Sequence, residues 1–401
     1  MRTLVIAFEY PWPANSGSRL RLLTTVRALC RCGPTDLLSV VPTNRTDFDE
    51  PDASCGLSRV GRVPVRPATI VAGLAHPLLP AEIPIRDRRK VRQALAEFAT
   101  DSYDLVWYFD ARAWVLAGAP DLAPTVLDLI DLDDRKIRSR LQVSAMGRSA
   151  LVDRWAHWPG RAWSRLEARR WTRLYRRASA RTVRTVVCSQ LDADRASSSG
   201  VKRVAVVPNT YPRPERPVGR DRVGSPPTVL FQGTLRYPPN ADAARWLVDD
   251  IAPALRAAVP DVRIRLVGLG NPAQDAMHHP PALTVVGPIP DIVTELSQAD
   301  VVVVPIRFGS GTRLKILEAF AHRIPVVSTT LGAEGLGAED GRHLLVADTA
   351  SGLAAACARV LTDPQLRHLV DAAHQLYLDE FRCELAEARV AELAKAAEAA
   401  L

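Results

Sequence analysis

The chain has 401 residues, of which 47% are hydrophobic and 24% are charged, and its formal net charge is +8. This length is too great for one typical hydrophobic core and predicts two domains, while the composition and the 31 prolines fit a globular protein with many turns. No run of eighteen apolar residues occurs, which excludes a membrane-spanning helix, and the N-terminal apolar run is too short for a signal peptide.

The first half of the chain begins with a strand, a loop, a helix and a second strand. We predict these elements at 3–10, 11–18, 19–32 and 36–41, and Gly17 lies in the loop. Later strands are predicted at 58–65, 104–110, 125–131, 185–189 and 203–207, and helices near 86–99, 135–180 and 190–198.

Acidic residues and cysteines offer few candidate metal ligands. The six cysteines are Cys30, Cys32, Cys55, Cys188, Cys357 and Cys383. None forms a Cys-x-x-Cys pair, so we predict neither disulfides nor structural zinc, and we expect a cytoplasmic protein. Four acids cluster at Asp128, Asp131, Asp133 and Asp134. They could suggest a metal site, or they could be the residues of a strand end and a helix start.

Residues 135–186 carry much of the positive charge. They include fifteen Arg and Lys residues against Asp153 and Glu167, a net charge of 15 − 2 = +13, together with four of the eight tryptophans. One interpretation is a long helix that buries an aromatic stripe and exposes its arginines to solvent. A second is a surface that rests on an anionic membrane or holds an anionic acceptor. Nucleic acid is disfavoured, since no recognition motif accompanies the charge.

A linker and a second α/β series follow. Residues 211–227 are rich in proline and glycine and are interpreted as a linker between a domain at 1–210 and a domain at 228–380. Strands are predicted at 228–233, 262–268, 283–287, 301–305, 325–329 and 343–346, and helices at 240–258, 291–298, 313–323, 350–361, 364–379 and 383–400. Alternating strands and helices in both halves predict two doubly wound parallel sheets that face a shared cleft.

The most informative segment is 301–336. An apolar strand leads into the loop Gly309-Ser310-Gly311, and we predict that Thr312 caps a helix that carries Lys315 and Glu318. Glycines let the backbone approach a ligand, and the free N–H groups of a helix N-terminus suit a phosphate. A carboxylate nearly two turns into the helix could accept two ribose hydroxyls.

Other nucleotide motifs are poorly matched. The turn after the strand at 228–233 has one glycine, Gly233, so the GxGxxG fingerprint of NAD and FAD sites is missing there. Gly268-Leu269-Gly270 is an isolated GxG, for which a simple strand-end turn is the favoured interpretation. No GxxxxGK[ST] motif occurs, which argues against hydrolysis of ATP by a P-loop enzyme.

Several segments of the second half resemble the group 1 glycosyltransferases (retaining family 4). The matching segments are FQGTLRYPPN at 231–240, LVG at 266–268, VVG at 285–287, GSGTRLKILEAF at 309–320 and PVVST at 325–329. The resemblance covers 228–380 well and is fainter over 1–210. It implies the GT-B fold, with two Rossmann-like domains, an acceptor-binding N-terminal domain, a C-terminal domain that binds the nucleotide sugar, and a helix at 381–401 that crosses back to the first domain.

The resemblance also implies roles for individual residues. Glu318 would bind the ribose hydroxyls, and Ser310 stands where the family's motif has its first acid. Lys315 and Arg236 would lie near the diphosphate as catalytic residues. Asp110, after the strand at 104–110, would face the acceptor or the anomeric centre, although a turn acid is an equally good interpretation. The implied donor-binding residues are Gly17, Gly233, Gly309, Ser310, Gly311, Thr312, Arg313, Leu314 and Glu318.

Together these features predict a glycosyltransferase. It would transfer a sugar, with retention, from a nucleoside-diphosphate sugar to a saccharide, lipid-linked or small-molecule acceptor. It would use no cofactor and no metal, because the resembled family does not use a metal-binding Asp-x-Asp site. The protein would be cytoplasmic, with peripheral membrane contact through 135–186 as an open alternative and no nucleic acid partner. A sugar-nucleotide epimerase or hydrolase of the same fold and a catalytically silent binding or scaffold protein remain alternatives.

Overall fold

A computed structural model of the protein describes residues 1–69, 76–145, 158–220, 223–270, 277–289 and 291–399. The chain divides into two compact units. The first comprises Met1–Arg138, Trp158–Thr210 and Cys383–Leu401, and the second comprises Ser139–His157 and Tyr211–Arg382. None of the described helices is both long enough and apolar enough to span a bilayer.

A parallel sheet of seven strands forms the centre of the first unit. The strands are β1 (Thr3–Ala7), β2 (Thr35–Pro42), β3 (Arg59–Val65), β4 (Leu105–Phe109), β5 (Thr125–Asp128), β6 (Arg184–Val187) and β7 (Val204–Val206), in the spatial order β3-β2-β1-β4-β5-β6-β7. All five residues of β4 are buried, as expected for an apolar strand that is covered on both faces of its sheet.

Helices connect these strands. They are α1 (Gly17–Cys32), α2 (Arg88–Phe98), α3 (Ala111–Ala117), α4 (Asp133–Ala145), α5 (Trp158–Ser179) and α6 (Gln190–Ser198). The single helix predicted at 135–180 is described as α4 and α5, and its middle, 146–157, lies outside the described residues. The sequence analysis missed α3, a short helix that begins directly after the N-cap residue Asp110.

The second unit contains a parallel sheet of six strands. They are β8 (Thr228–Gln232), β9 (Arg263–Val267), β10 (Leu283–Val286), β11 (Val301–Val304), β12 (Val326–Ser328) and β13 (Leu345–Val346), in the spatial order β10-β9-β8-β11-β12-β13. The four valines of β11 are fully buried and form the centre of this unit's core.

The remaining helices are α7 (Pro238–Trp246), α8 (Ala252–Ala258), α9 (Val293–Leu296), α10 (Leu314–Ala321), α11 (Ala350–Thr362), α12 (His368–Glu380) and α13 (Cys383–Glu398). A π-helical turn, Leu247–Ile251, joins α7 to α8 where one regular helix was predicted. α13 belongs to the first unit and packs against α1.

The two sheets share one topological feature. In each, the strand order reverses beside the first strand of the unit, between β1 and β4 in one sheet and between β8 and β11 in the other. This arrangement confirms the predicted fold class of two doubly wound parallel sheets. Ligands of such sheets bind outside the carboxyl ends of the strands at the point of reversal, so the loops after β8 and β11 are the first place to look for a site.

Candidate functional site

The loop after β11 brings the predicted glycine motif to the point of strand reversal. Gly309 and Gly311 have φ angles of 144° and 71°, which glycine adopts without strain. The predicted cap was wrong, because the N-cap residue of α10 is Arg313 and not Thr312. Leu314, the first helical residue, packs against the core of the unit and anchors this end of the helix.

Arg313 turns back onto the loop that precedes it. Its Nη1 donates to the carbonyl oxygen of Ser310 and, at 2.6 Å, to that of Gly311. Its Nε and Nη2 are buried and have no hydrogen-bond partner, and the buried Ser310 hydroxyl has none either. Buried polar groups are almost always satisfied, so these donors fit an anionic ligand at the loop.

Lys315 lies in the first turn of α10, and its side chain reaches the first turn of α7 and the end of β8. Its Nζ donates to Asn240 Oδ1 at 2.9 Å and lies 4.3 Å from the centroid of the Phe231 ring. The pKa of Lys315 is lowered to about 7, first by burial and then by the nearby charge of Arg313, while the charge of Glu318 opposes both. A ligand phosphate would favour the charged ammonium here.

Glu318 lies one turn further along α10. Its Oε2 accepts a hydrogen bond from Gln232 Nε2 at 2.5 Å. Burial raises the pKa of Glu318 to about 7, while the charge of Lys315 and a hydrogen bond from Tyr211 act in the opposite direction. The carboxyl group therefore titrates near neutrality and, once ionised, can accept hydrogen bonds from ligand hydroxyls.

Glycines allow the strand ends to come close together at this site. Gly233 has a φ of 142°, and a Cβ there would lie 3.0 Å from Lys315 Nζ. A Cβ at Gly268 would lie only 2.1 Å from the carbonyl oxygen of Gly233, and Gly268 has a φ of 136°. The isolated GxG of the sequence is therefore a close approach of two strand ends and not a simple turn.

Replacing Gly268 by alanine is expected to lower the midpoint temperature of unfolding. The side chain would collide with backbone and force an unfavourable φ, which costs about 1–3 kcal/mol. Gly287→Ala is the matched control, since a Cβ there meets nothing within 4 Å. Thermal unfolding monitored by circular dichroism distinguishes the two variants, and equal midpoints would contradict the proposed close approach.

The remaining predicted residues do not all join this group. Arg236 is exposed, and its Nε donates to the carbonyl oxygen of Gly270 at 2.8 Å. Gly17, the first residue of α1, and Asp110, which directly follows β4, belong to the first unit. Asp110 lies at the carboxyl end of β4, and Gly17 follows the loop after β1; the first sheet reverses its order between these two strands.

Asp110 has an unusual backbone and one dominant partner. Its φ of 84° is rare for a residue other than glycine. Oδ1 accepts from the backbone N–H of Arg112 at 2.7 Å, and Oδ2 accepts from Arg112 Nη1 at 2.8 Å. Burial raises the pKa of Asp110, while Arg112 lowers it. Asp110 thus caps α3, a helix that was not predicted.

Sequence reasoning missed three residues that shape the site. Gln232 donates a hydrogen bond to Glu318, and Asn240 accepts one from Lys315. Both residues lie in the quoted 231–240 motif, and the signal that could have found Gln232 is a polar residue at the end of a predicted strand. The third is Ser139, whose Oγ lies 2.9 Å from both the backbone nitrogen and the carbonyl oxygen of Gly309. No local pattern links positions so distant in the chain.

Comparison with known proteins finds a family match in the second unit. Residues 226–363 match the family model "Glycosyl transferases group 1". A curated relative, an uncharacterized 44.6 kDa protein in the cps region of Klebsiella pneumoniae, is 27% identical over 131 residues. That match covers 30% of this chain and 33% of the relative, so the chain aligns with only about a third of the relative's length.

Solved structures resemble nearly the whole chain. HepE of Anabaena, solved in complex with UDP and glucose, is 16% identical with a TM-score of 0.65, covering 99% of this chain and 100% of HepE. Sucrose-phosphate synthase from Thermosynechococcus elongatus is also 16% identical, with a TM-score of 0.72 over 100% of this chain and 99% of that enzyme. At such identities the likeness concerns the fold alone. The chain therefore has the GT-B fold, and its residues 226–363 match the model of the group 1 glycosyl transferases.

Proposed function

We propose that the protein is a glycosyltransferase that uses a nucleoside-diphosphate sugar as its donor. The observation that carries this proposal is the cluster at the strand reversal of the second sheet. There Arg313 has buried donors without partners, and Lys315 and Glu318 both titrate near neutrality. Cations beside a carboxylate suit a ligand that combines a diphosphate with a ribose.

The diphosphate would contact the N-terminal end of α10. Arg313 Nε and Nη2, the Ser310 hydroxyl and Lys315 Nζ are the groups available to its oxygens. When the bond between the anomeric carbon and the phosphate oxygen breaks, negative charge builds on the leaving diphosphate. Fixed cations at that position stabilise the transition state more than the ground state and thereby accelerate transfer.

The ribose would be bound by Glu318. Gln232 holds one carboxylate oxygen at 2.5 Å and orients the group, which leaves acceptor positions on the carboxylate for two hydroxyls. HepE, whose fold this chain shares, was solved with UDP, and we therefore propose UDP as the nucleotide. Arg236, which is exposed and bound to Gly270, would contact the diphosphate only after its side chain moves.

We further propose that the sugar is transferred with retention and without a metal. The acceptor oxygen would bond to the anomeric carbon on the face that the diphosphate leaves, and the departing phosphate oxygen would take the acceptor proton. No protein base is then required. Asp110 is proposed to orient the acceptor, because a strained residue at the end of a central strand is typical of functional positions.

The test is consumption of nucleotide sugars by the purified protein. UDP-glucose, UDP-galactose, GDP-mannose and dTDP-glucose are each incubated with a mixture of oligosaccharide acceptors, and nucleotide release and products are followed by mass spectrometry and NMR. Formation of an α-linked saccharide from a UDP-sugar is expected. Isomerised donor, or hydrolysis that ignores the acceptor, would favour an epimerase or hydrolase, and no consumption of any donor would favour a silent binding protein.

Binding of UDP at pH 8 is expected to take up protons. With a pKa of about 7, Lys315 is mostly neutral at pH 8, and the phosphates raise its pKa, so up to one proton enters per site. Glu318, also with a pKa of about 7, is already mostly ionised at pH 8, but at pH 6 hydrogen bonds from ribose hydroxyls would make it release protons. Calorimetric titrations in pairs of phosphate-free buffers that differ in ionisation enthalpy, HEPES and Tris at pH 8 and MES and Bis-Tris at pH 6, measure these proton numbers.

The control for this linkage is Lys315→Met. It removes the group that accepts the proton and should abolish the uptake at pH 8 while leaving the release at pH 6. Uptake of equal size in the variant, or none in the wild type, would show that Lys315 does not face the phosphates.

A further inference from the structure

One face of α5 is densely basic. Its exposed side chains recur at steps of three and four residues, and apart from Ala162 and Leu166 they are all arginines. We call this set the basic face, and it consists of Arg165, Arg169, Arg173, Arg176 and Arg177. Among the residues that the structure describes, none of these five arginines forms an ion pair.

The helix's acid and aromatic side chains lie on the other side. Glu167 is buried, where it accepts from the Ala81 N–H at 2.8 Å and pairs with Arg170 at 2.6 Å. Trp171 and Tyr175 are buried in the first unit. The apolar side of α5 thus packs within the first unit and fixes the position of the helix. The arginines lie on its solvent-exposed side.

Further positive charge lies beside the basic face. The pKa of Arg88, on α2, is lowered first by burial and then by the positive charges of Arg92 and Arg177. Arg88 Nε is also buried without a hydrogen-bond partner. Like charges four residues apart destabilise a helix, and Arg165, Arg169, Arg173 and Arg177 follow each other at that spacing. Each such pair opposes the helix only slightly, and an anionic partner would offset the repulsion.

Exposed leucines accompany the arginines. Leu166, which follows Arg165 on α5, is 41% exposed. Leu78 is 58% exposed and lies three residues before Ala81, whose N–H donates to Glu167 of α5. Large apolar side chains among long cationic ones suit the headgroup layer of a bilayer, where leucine enters the acyl boundary and arginine reaches lipid phosphates. A nucleic acid offers its phosphates but no apolar layer for the leucines.

We propose that the basic face binds the surface of an anionic membrane, as a peripheral contact without insertion of the helix. Arg165 to Arg177 spans twelve residues, a rise of about 18 Å, which is enough to contact several lipid headgroups at once. Electrostatic attraction contributes more to this binding than apolar contact does, since only two leucines could enter the bilayer. This inference stands on the first unit alone and does not depend on the proposed transfer reaction.

The test is co-sedimentation of the full chain with vesicles. Vesicles of phosphatidylcholine with 30% phosphatidylglycerol are expected to bind the protein, vesicles of phosphatidylcholine alone are not, and 0.5 M NaCl should release it. The triple variant Arg165→Glu, Arg169→Glu, Arg173→Glu should bind the anionic vesicles at least about a hundredfold more weakly. Leu166→Ala should weaken binding by a smaller factor.

The matched control reverses three exposed arginines of the second unit. Arg213→Glu, Arg216→Glu, Arg263→Glu changes the net charge equally and should keep vesicle binding within a few-fold of the wild type. Circular dichroism and the unfolding midpoint confirm that each variant is folded. If the basic-face variant is unfolded, Arg169→Ala and Arg173→Ala are compared singly.

Three results would overturn the proposal. The first is equal binding of the protein to neutral and anionic vesicles, and the second is an equal loss of vesicle binding in the two triple variants. The third is binding of the protein to heparin or single-stranded DNA without any binding to anionic vesicles. The last result would assign the basic face to a soluble polyanion.

Discussion

Lys315→Met is expected to lower kcat/KM for sugar transfer by about tenfold to a hundredfold. A hydrogen bond to a charged group contributes about 1.5–3 kcal/mol, and each 1.36 kcal/mol corresponds to a factor of ten. Lys315 is already held by Asn240 and by the face of Phe231, so it reaches the diphosphate without further ordering of its side chain. Methionine keeps the length and apolar character of the side chain and removes only the charge.

Steady-state kinetics with the active donor measures this effect, and Lys395→Met is the control. Lys395 is exposed on α13, so its replacement should leave kcat/KM unchanged. The decrease of kcat/KM in Lys315→Met should appear mainly as a lower kcat if Lys315 stabilises the leaving group in the transition state. It should appear mainly as a higher KM if Lys315 binds the donor equally in the ground state and the transition state. An unchanged kcat/KM would exclude Lys315 from the site.

Arg21→Leu is expected to cost about 3–5 kcal/mol of stability in the first unit. Arg21 is buried on α1, and its guanidinium donates to Asp128 at 2.9 and 3.1 Å, to the Val207 carbonyl oxygen at 2.7 Å and to Asn209 at 3.1 Å. These contacts join the end of β5 to the chain after β7. Removal of the arginine leaves Asp128 buried without its cation, which accounts for the size of the loss.

Urea unfolding followed by tryptophan fluorescence checks this prediction. The fluorescence reports mainly the first unit, because six of the eight tryptophans belong to it, namely Trp12, Trp107, Trp114, Trp158, Trp163 and Trp171. Arg27→Leu is the control. Its pair with Asp52 at 3.5 Å joins side chains that are 42% and 41% exposed, so its removal should shift the midpoint little. Equal shifts of the two midpoints would contradict the account.

The sequence predicted the architecture well because its strands are continuous apolar runs. The strands at 104–110 and 301–305 are buried on both faces of parallel sheets, and such runs are readable without knowledge of partners. The bounds were less accurate. The π-helical turn Leu247–Ile251 has no sequence pattern that distinguishes it from a regular helix. The short helix Ala111–Ala117 has no periodic pattern that distinguishes it from a loop.

The candidate site was partly predictable for the same reason. Glu318 and Lys315 lie one turn apart on a helix after a glycine loop, so local spacing brings them together. The N-cap residue was predicted wrongly because threonine is a preferred residue type at this position, whereas the helix begins one residue later, with Arg313 as its N-cap residue. Contacts such as Ser139 with Gly309 depend on tertiary packing, and a single sequence holds no signal for them.

The most direct test of the central claim is calorimetric titration of UDP into wild type, Glu318→Gln and Glu339→Gln. The first variant keeps the size of a side chain that Gln232 holds at 2.5 Å, and the second changes a carboxylate that is 61% exposed in its pair with Arg342. The account predicts that UDP binds the wild type and Glu339→Gln alike and binds Glu318→Gln about tenfold to a hundredfold more weakly. No binding to the wild type, or equal affinity for all three proteins, would contradict it.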